Sequence, residues 1–402
     1  VITKYSIYWE VAVQQRKRHR IAVIGLGMRL GMLLRAARAE GWDFELSGHV
    51  DPEPVGAPLL AEQGIEAGRS YPDIQALLAA GPHDLVMIGS PNHLHLEHLR
   101  ETLQGHPGHV FIEKPIVRTE DESFAAARLI REHGAGRVLV GLVARSAPIV
   151  RTAMERLDDG VIGDIISIDA TEHLPPAHGA YLARNWRRRA EWGGSYMLDK
   201  VCHDFDILGR MVGARPTQVA SFGGRRIFNA DADNISRDQG PAILRRLSGW
   251  NAAPDISGAD MDVTDHQVAI VEYANGVRLS FHSNTSAAAP ERRWNLIGRH
   301  GTLTIDLVQN TLVITPLDAR GTVEQFRWRG PAGDSHGGAD QAMARDLVAA
   351  LEGERAFPVS VADSLVAGLT VMAIDRALAE SRIVDCTPLW AQLDAAEAGV
   401  PA

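Results

Sequence analysis

IAVIGLGMRLGMLLRAARA, residues 21–39, decides the fold. Its first four residues are apolar and mostly β-branched or small, the pattern of a short buried strand. From Met28 onward the apolar positions recur with helical spacing. Between the two lies Gly25-x-Gly27. Glycines at a strand-to-helix junction let the chain turn tightly and let the backbone approach a pyrophosphate, whose charge faces the helix N-terminus. Leu30 takes the third glycine position of that pattern, and Gly31 follows one residue late. ELSGHVD (45–51) reads as the next strand and ends on Asp51, where a carboxylate can accept from ribose hydroxyls. DPEPVG (51–56) offers no basic residue for a 2′-phosphate, so NAD is expected as cofactor and NADP is disfavoured. Leu26 and Met28 share the expected cofactor turn with Gly25 and Gly27.

The alternation continues outward. Strands are expected at 84–90, 109–115 and 137–143, with helices at 59–64, 73–80, 95–103 and 121–134. Such spacing implies a parallel sheet with helices on both faces. After about residue 150 the rhythm changes. A helix (150–158) and a strand (165–174) lead to segments of period two: HQVAIVEY, VRLSFHSNT, RRWNLIG, GTLTIDL, TLVITPL and TVEQFRW. Asn275-Gly276 joins two of them, a hairpin signal. A mainly antiparallel sheet is expected, with helices again from about 337. Residues 225–262 read as a long polar loop or lid.

The full chain has 402 residues, enough for two domains. Its net charge of −9 disfavours nucleic acid and anionic membranes as partners, and no apolar run is long enough to span a bilayer. Cys202 and Cys386 are the only cysteines, which excludes a disulfide framework and fits a reducing cytoplasm. Residues 1–19, with a basic cluster after their apolar part, read as an extension outside the fold. Only four of the 41 basic residues are lysines, and two of these, Lys114 and Lys200, fall in segments that look chemical.

Three such segments stand out. SPNHLH (90–95) ends a strand and enters a helix, with Ser90 and Pro91 ahead of the plausible cap Asn92. The spacing of His93, His95 and His98 lacks the i, i+4 pairing of a helical metal site, and no metal is expected. FIEKP (111–115) sets Glu113 and Lys114 at a strand's carboxyl end, where open α/β sheets bind ligands, although a surface ion pair fits the same five residues. In GGSYMLDKVCHDFDILGRM (193–211), a helical wheel gathers Met197, Leu198, Val201, Phe205 and Leu208 on one side. Asp199, His203, Asp206 and Arg210 gather opposite. The wheel alone fits either a solvated polar face or a face turned into a cleft.

In order along the chain, Gly25-x-Gly27 with Asp51, SPNHLH, FIEKP, GLVARSAP with Arg145, NWR, Gly193-Gly194 and Asp199-x3-His203-x2-Asp206 form a series. It resembles the glucose–fructose oxidoreductase / inositol dehydrogenase (Gfo/Idh/MocA) family over about residues 20–390. The resemblance implies a Rossmann domain (20–148) followed by an α/β domain (149–402) whose large open sheet serves as an oligomer interface, in a homodimer or homotetramer. It implies that Asn92, His95 and Glu113 lie near the cofactor, with Ser90, Pro91 and Arg145 contributing. It implies that Lys114, Asp199 and His203 line the substrate side as catalytic residues. Trp186, Arg187 and Asp206 are further candidates for substrate contact, and Arg184, Arg188 and Arg189 could reach the rim. Position 201 is valine where many relatives have glycine. The activity implied is hydride transfer between the nicotinamide and a carbinol carbon of a sugar or cyclitol, with His203 as general base. Two alternatives are a glycoside hydrolase or lyase that uses NAD transiently, and a non-catalytic sugar sensor.

Overall fold

A computed structural model of the chain describes residues 17–134, 136–183, 185–227, 261–318, 320–330 and 336–399. The polar stretch expected at 225–262 therefore lies outside the described residues from 228 to 260, as does Arg184.

The first sheet is built from β1 (His19–Ile24), β2 (Phe44–Val50), β3 (Arg69–Ser70), β4 (Leu85–Ile88), β5 (His109–Ile112) and β6 (Val138–Val140). Their spatial order is β3-β2-β1-β4-β5-β6 and every pairing is parallel, the doubly wound order of a dinucleotide-binding sheet. Ile21, Ala22, Val23 and Ile24 are all completely buried because helices cover both faces. Leu30 is buried too, and its side chain occupies the space where a Cβ on Gly89 would lie, within 2.6 Å. The third glycine of the usual pattern allows close packing of helix on strand. Here Gly89, just past β4, yields that room instead.

The second sheet comprises β7 (Ile165–His173), β8 (Pro216–Gly224), β9 (His266–Tyr273), β10 (Arg278–Asn284), β11 (Glu291–Gly298), β12 (Gly301–Asp306), β13 (Thr311–Pro316), β14 (Glu324–Arg327) and β15 (Val384–Asp385). The order is β14-β13-β12-β11-β7-β10-β9-β8-β15, antiparallel except where β10 runs parallel to β7. Inward residues such as Phe281, Leu279, Trp294 and Leu303 are buried beneath helices, while Phe222, Val268 and Ile270 on the other face are exposed. The C-terminal helices tie the two sheets together. Ala339–Leu351 packs on Met28–Ala39, and Val361–Glu380 packs on both Glu120–His133 and Cys202–Val212. No helix among the described residues is long and apolar enough to cross a membrane.

Two expectations change here. The extension expected through residue 19 is a residue too long, because His19 opens β1, is buried, and accepts from Trp42 Nε1 at 3.0 Å. Arg145 and Asp206, expected at cofactor and substrate respectively, meet each other. The Arg145 guanidinium donates through Nε and Nη2 to the Asp206 carboxylate, and through Nη1 to Asp363 at 2.7 Å. All three of its nitrogens are engaged, and Asp206 is buried beneath them. This is a brace between the two sheets' helices.

A chain started at residue 20 rather than 17 leaves the Trp42 N–H without its buried acceptor and removes the 2.5 Å Lys17–Asp84 pair. The expected loss is about 1–3 kcal/mol, read as a lower urea midpoint. Equal midpoints for the two chains would show that β1 does not need His19. Arg145→Met strands a buried carboxylate and is expected to cost about 3–5 kcal/mol, whereas Arg145→Met with Asp206→Leu recovers a large part of it. NAD affinity measured on the folded double variant should stay within about threefold of the parent; a larger drop would return Arg145 to the cofactor.

Candidate active site

The cofactor turn is shaped by three glycines. Gly25 has φ +83°, a conformation side chains rarely adopt, and a Cβ there would lie 2.4 Å from the Ser90 nitrogen. Gly27 caps the Met28–Ala39 helix, and a Cβ there would meet nothing within 4 Å. That open approach to a helix N-terminus is what a pyrophosphate requires. Gly31 lies where a Cβ would press on the Gly56 carbonyl at 3.1 Å, so the turn also receives the 51–56 loop closely. Asp51 stands at the end of β2, with its Oδ1 accepting from the Glu53 nitrogen at 2.8 Å. The residues present fit a dinucleotide.

The loops after β4 and β5 are cross-braced. His95 is buried between the Ser90 and Pro115 carbonyls, 2.8 Å from each, and burial pushes its ring down to about 4. It fixes two loops to each other. The Ser90 hydroxyl meets His98 Nδ1 at 2.9 Å. Glu113 accepts from Arg29 Nε at 3.0 Å, and Arg29 Nη1 donates to Asp340 at 2.6 Å. Burial pushes the Glu113 carboxyl above its ordinary range, against the pull of Arg29 and Lys114. Asp340 also meets His336 Nδ1 at 2.7 Å. Arg29, Asp340 and His336 escaped the sequence reading. Arg29 was visible inside the glycine turn, but Asp340 and His336 arrive from the start of a helix and the turn before it, some 300 residues downstream, and no local pattern announces them.

The helix read from 193 to 211 begins as a single π turn, Met197–Val201, and continues as an α-helix, Cys202–Val212. A π turn holds one extra residue and shifts the phase of everything after it. Most of the polar stripe is buried along with the apolar one: Asp199, His203 and Asp206 are buried, as is Asp204, Val201 is packed in the core, and Arg210 alone of the stripe is exposed. Ser195 sets the turn by accepting from the Leu198 nitrogen at 2.9 Å while donating to Asp375.

Asp199 gathers partners from both sheets' domains. Asn92 Nδ2 donates to its Oδ1 at 3.2 Å and to the Gly193 carbonyl at 2.7 Å. The Lys114 ammonium donates to the Asp199 backbone carbonyl and stands 3.8 Å from its Oδ1. The Lys114–Pro115 peptide that presents it is cis. Arg187 Nε approaches Oδ2 at 3.7 Å, with its guanidinium stacked 4.2 Å over Trp186, and the Tyr181 hydroxyl helps to stabilise the same carboxylate. Burial opposes the charge on Asp199, but Lys114 and Arg187 outweigh it and hold the carboxyl below its usual range. The 185–190 segment carrying Arg187 is pinned by Asp262, which accepts from the Ala190 nitrogen at 2.6 Å and pairs with Arg189 at 3.5 Å.

His203 lies one turn on. Its Nδ1 is buried with no hydrogen-bond partner, and burial together with Lys114, Arg292 and Lys200 drives its pKa well below 6.5. Beneath it is a charged group the sequence did not reveal as a unit. Lys200 Nζ is 3.5 Å from Glu172, Arg292 Nε is 3.5 Å from the same oxygen, and Arg292 grips Asp204 at 2.9 and 2.7 Å. Trp294 Nε1 adds a bond to Asp204 at 3.0 Å. Of the expected catalytic residues, the structure brings Lys114 and Asp199 into contact and sets His203 one helical turn beyond.

Comparison with known proteins agrees with this architecture. Residues 19–142 match the oxidoreductase family's NAD-binding Rossmann fold, and residues 150–304 match the GFO/IDH/MocA C-terminal domain. The chain is 26% identical over 234 residues to inositol 2-dehydrogenase of Rhizobium meliloti (strain 1021), covering 58% of this chain and 67% of that protein. It is 23% identical over 269 residues to 2,7-anhydro-N-acetylneuraminate hydratase of Mediterraneibacter gnavus, covering 65% and 63%. Among solved structures, levoglucosan dehydrogenase in complex with NADH and levoglucosan superposes with a TM-score of 0.74 at 21% identity, over 92% of this chain and 100% of that one. The chain belongs to the Gfo/Idh/MocA family of oxidoreductases, with an NAD-binding Rossmann domain followed by that family's C-terminal domain.

Proposed function

We propose that the protein moves hydride between NAD and a carbinol carbon of a sugar or cyclitol bound between the two sheets' domains. The observation that carries this reading is the grouping of Lys114 and Asp199, held across the domain boundary, with a buried His203 whose Nδ1 has no partner. The dinucleotide would sit over Gly25–Met28 with its ribose hydroxyls toward Asp51, and when bound it supplies the hydride acceptor or donor. Lys114 donates to the reacting oxygen and stabilises alkoxide charge as it develops. Asn92, Arg187 and Tyr181 hold Asp199, and Asp199 in turn holds Lys114. His203 takes the hydroxyl proton in oxidation. Its depressed pKa keeps the ring neutral and able to accept a proton below pH 6.5, so the acid limb of the oxidation profile falls below that value.

An alternative keeps the hydride within one turnover, returning it to the substrate after an elimination. The hydratase among the relatives favours it. Absorbance at the reduced-nicotinamide band, followed with NAD and a panel of sugars, inositols and sugar acids, separates the two. Net reduction supports the dehydrogenase, whereas product without net reduction supports the alternative. Lys114→Ala and His203→Ala should each lower kcat by about a hundredfold or more, with NAD affinity within about threefold. Turnover like that of the parent in either variant, or an acid limb centred near pH 6.5, would remove that residue from the proposed chemistry.

The same proposal includes a second copy of the chain on the outer face of the nine-stranded sheet, in a homodimer or homotetramer. Phe222 and Ile270 are 75% and 62% exposed there, and Val268 stands opposite Phe222 in the ladder. Apolar side chains grouped on an open sheet face mark a site of association. Sedimentation should show an oligomer that Phe222→Lys with Ile270→Lys converts to monomer. A monomeric parent protein would refute it.

A further inference from the structure

We infer that the substrate carries an anionic oxygen group, a carboxylate or a phosphate ester, seated against Lys200 and Arg292 beside the reacting carbon. The inference rests on the sugar-binding reading of the site and narrows its substrate class.

The argument begins with donors that lack acceptors. Lys200 sits in the π turn next to Asp199, and its side chain is 14% exposed. Its one ion-pair partner among the described residues is Glu172 Oε1 at 3.5 Å, too long for a strong hydrogen bond, and it makes no hydrogen bond to any described residue. An ammonium has three donors to satisfy. Arg292 commits Nε and Nη2 to Asp204, which leaves Nη1 without a hydrogen bond. Arg187 faces Asp199 from 3.7 Å and makes no hydrogen bond of its own among the described residues.

Lys114, Arg187 and Lys200 meet their carboxylates only at 3.5 to 3.8 Å, too far for strong hydrogen bonds. Lys114, Arg187, Lys200 and Arg292 face Asp199, Asp204 and Glu172, and a single oxygen of Glu172 is shared by Lys200 and Arg292. The Arg29–Glu113–Asp340–His336 chain lies on the other wall, where Glu113 also faces Lys114. The field of the open cluster is felt at its mouth. His178 is pushed down to about 2, first by Lys200, then by burial and by His336, Arg292 and Lys114.

Hydroxyls could bond these donors, but a neutral ring would leave a desolvated cation uncompensated, which is costly. A carboxylate or phosphate supplies both the acceptors and the charge, and its hydrogen bonds to ammonium or guanidinium are about twice as strong as neutral ones. The placement suits one sugar ring. Lys200 and His203 are three residues apart, about 5 Å along a helix, so an anionic substituent and the reacting hydroxyl can be read by one helical segment.

The test is calorimetry of the full chain loaded with NAD, using glucose, glucuronate and glucose 6-phosphate, and galactose with galacturonate. At least one anionic member should bind about thirtyfold or more tighter than its neutral counterpart at low salt, with the difference shrinking as salt rises. Lys200→Met should erase about tenfold or more of that preference, and Lys200→Arg should keep most of it. Glucuronate against glucose 6-phosphate decides between carboxylate and phosphate. Neutral sugars binding as tightly as their anionic partners, no sugar binding at all, or a preference untouched in Lys200→Met would each overturn the inference. Anionic sugars bound through Lys200 without any nicotinamide absorbance change would leave it standing while the hydride-transfer reading falls.

Discussion

Asp199 is gripped from two domains at once, and the rest of the site depends on that grip. Its carboxylate is buried, so it must be paired or hydrogen-bonded to remain charged. Asn92 and Lys114 reach it from loops after the parallel sheet, while Arg187 and Tyr181 reach it from the second domain. Lys114 also donates to the Asp199 backbone carbonyl within the π turn. Separating the domains would strand the carboxylate, which makes the closed cleft and the charged site a single cooperative feature.

Buried charge in this protein is of two kinds. Arg145 with Asp206 and Asp363, and Asp346 with Arg151, Arg355 and Ser146, are closed groups in which a central charge is surrounded by partners. They bind C-terminal helices to the segment that follows β6, and they fix geometry rather than add much stability over an apolar core of the same shape. The second kind is open. Lys200, Arg292 and His203 keep donors or a ring nitrogen without partners, at the place where Asp199 and Lys114 converge. His203 Nδ1 is buried without a partner, and a buried polar atom of that kind calls for a ligand or water.

The strand-and-helix plan was legible because each signal was local. β1, the Gly25 turn and the helix from Met28 follow from short-range periodicity and turn chemistry, and the Asn275-Gly276 hairpin does so too. The Met197–Val212 helical segment was legible only in part. A wheel assumes 100° per residue, which places Asp199 and Asp206, seven apart, on one stripe. The extra residue of the π turn breaks that phase, and Asp206 turns to Arg145 while Lys200 enters the site. Asp340, His336 and Arg292 were invisible for a different reason. They reach their partners through long-range packing that no sequence window contains.

Position-by-position matching to a motif also misleads where space rather than identity is what matters. Leu30 breaks the glycine pattern, yet the helix still packs closely because Gly89 gives way opposite it. The requirement was for one missing side chain at a contact between two elements, and either element can supply it. Val201 makes the same point in reverse. The family resemblance leads one to expect glycine there, which raised the question of how closely the backbone nears the substrate. In this chain Val201 is fully buried in the core, turned away from the polar partners of Asp199. Glycine at a position therefore records a local shortage of room, and its loss is harmless when the fold has moved that shortage elsewhere.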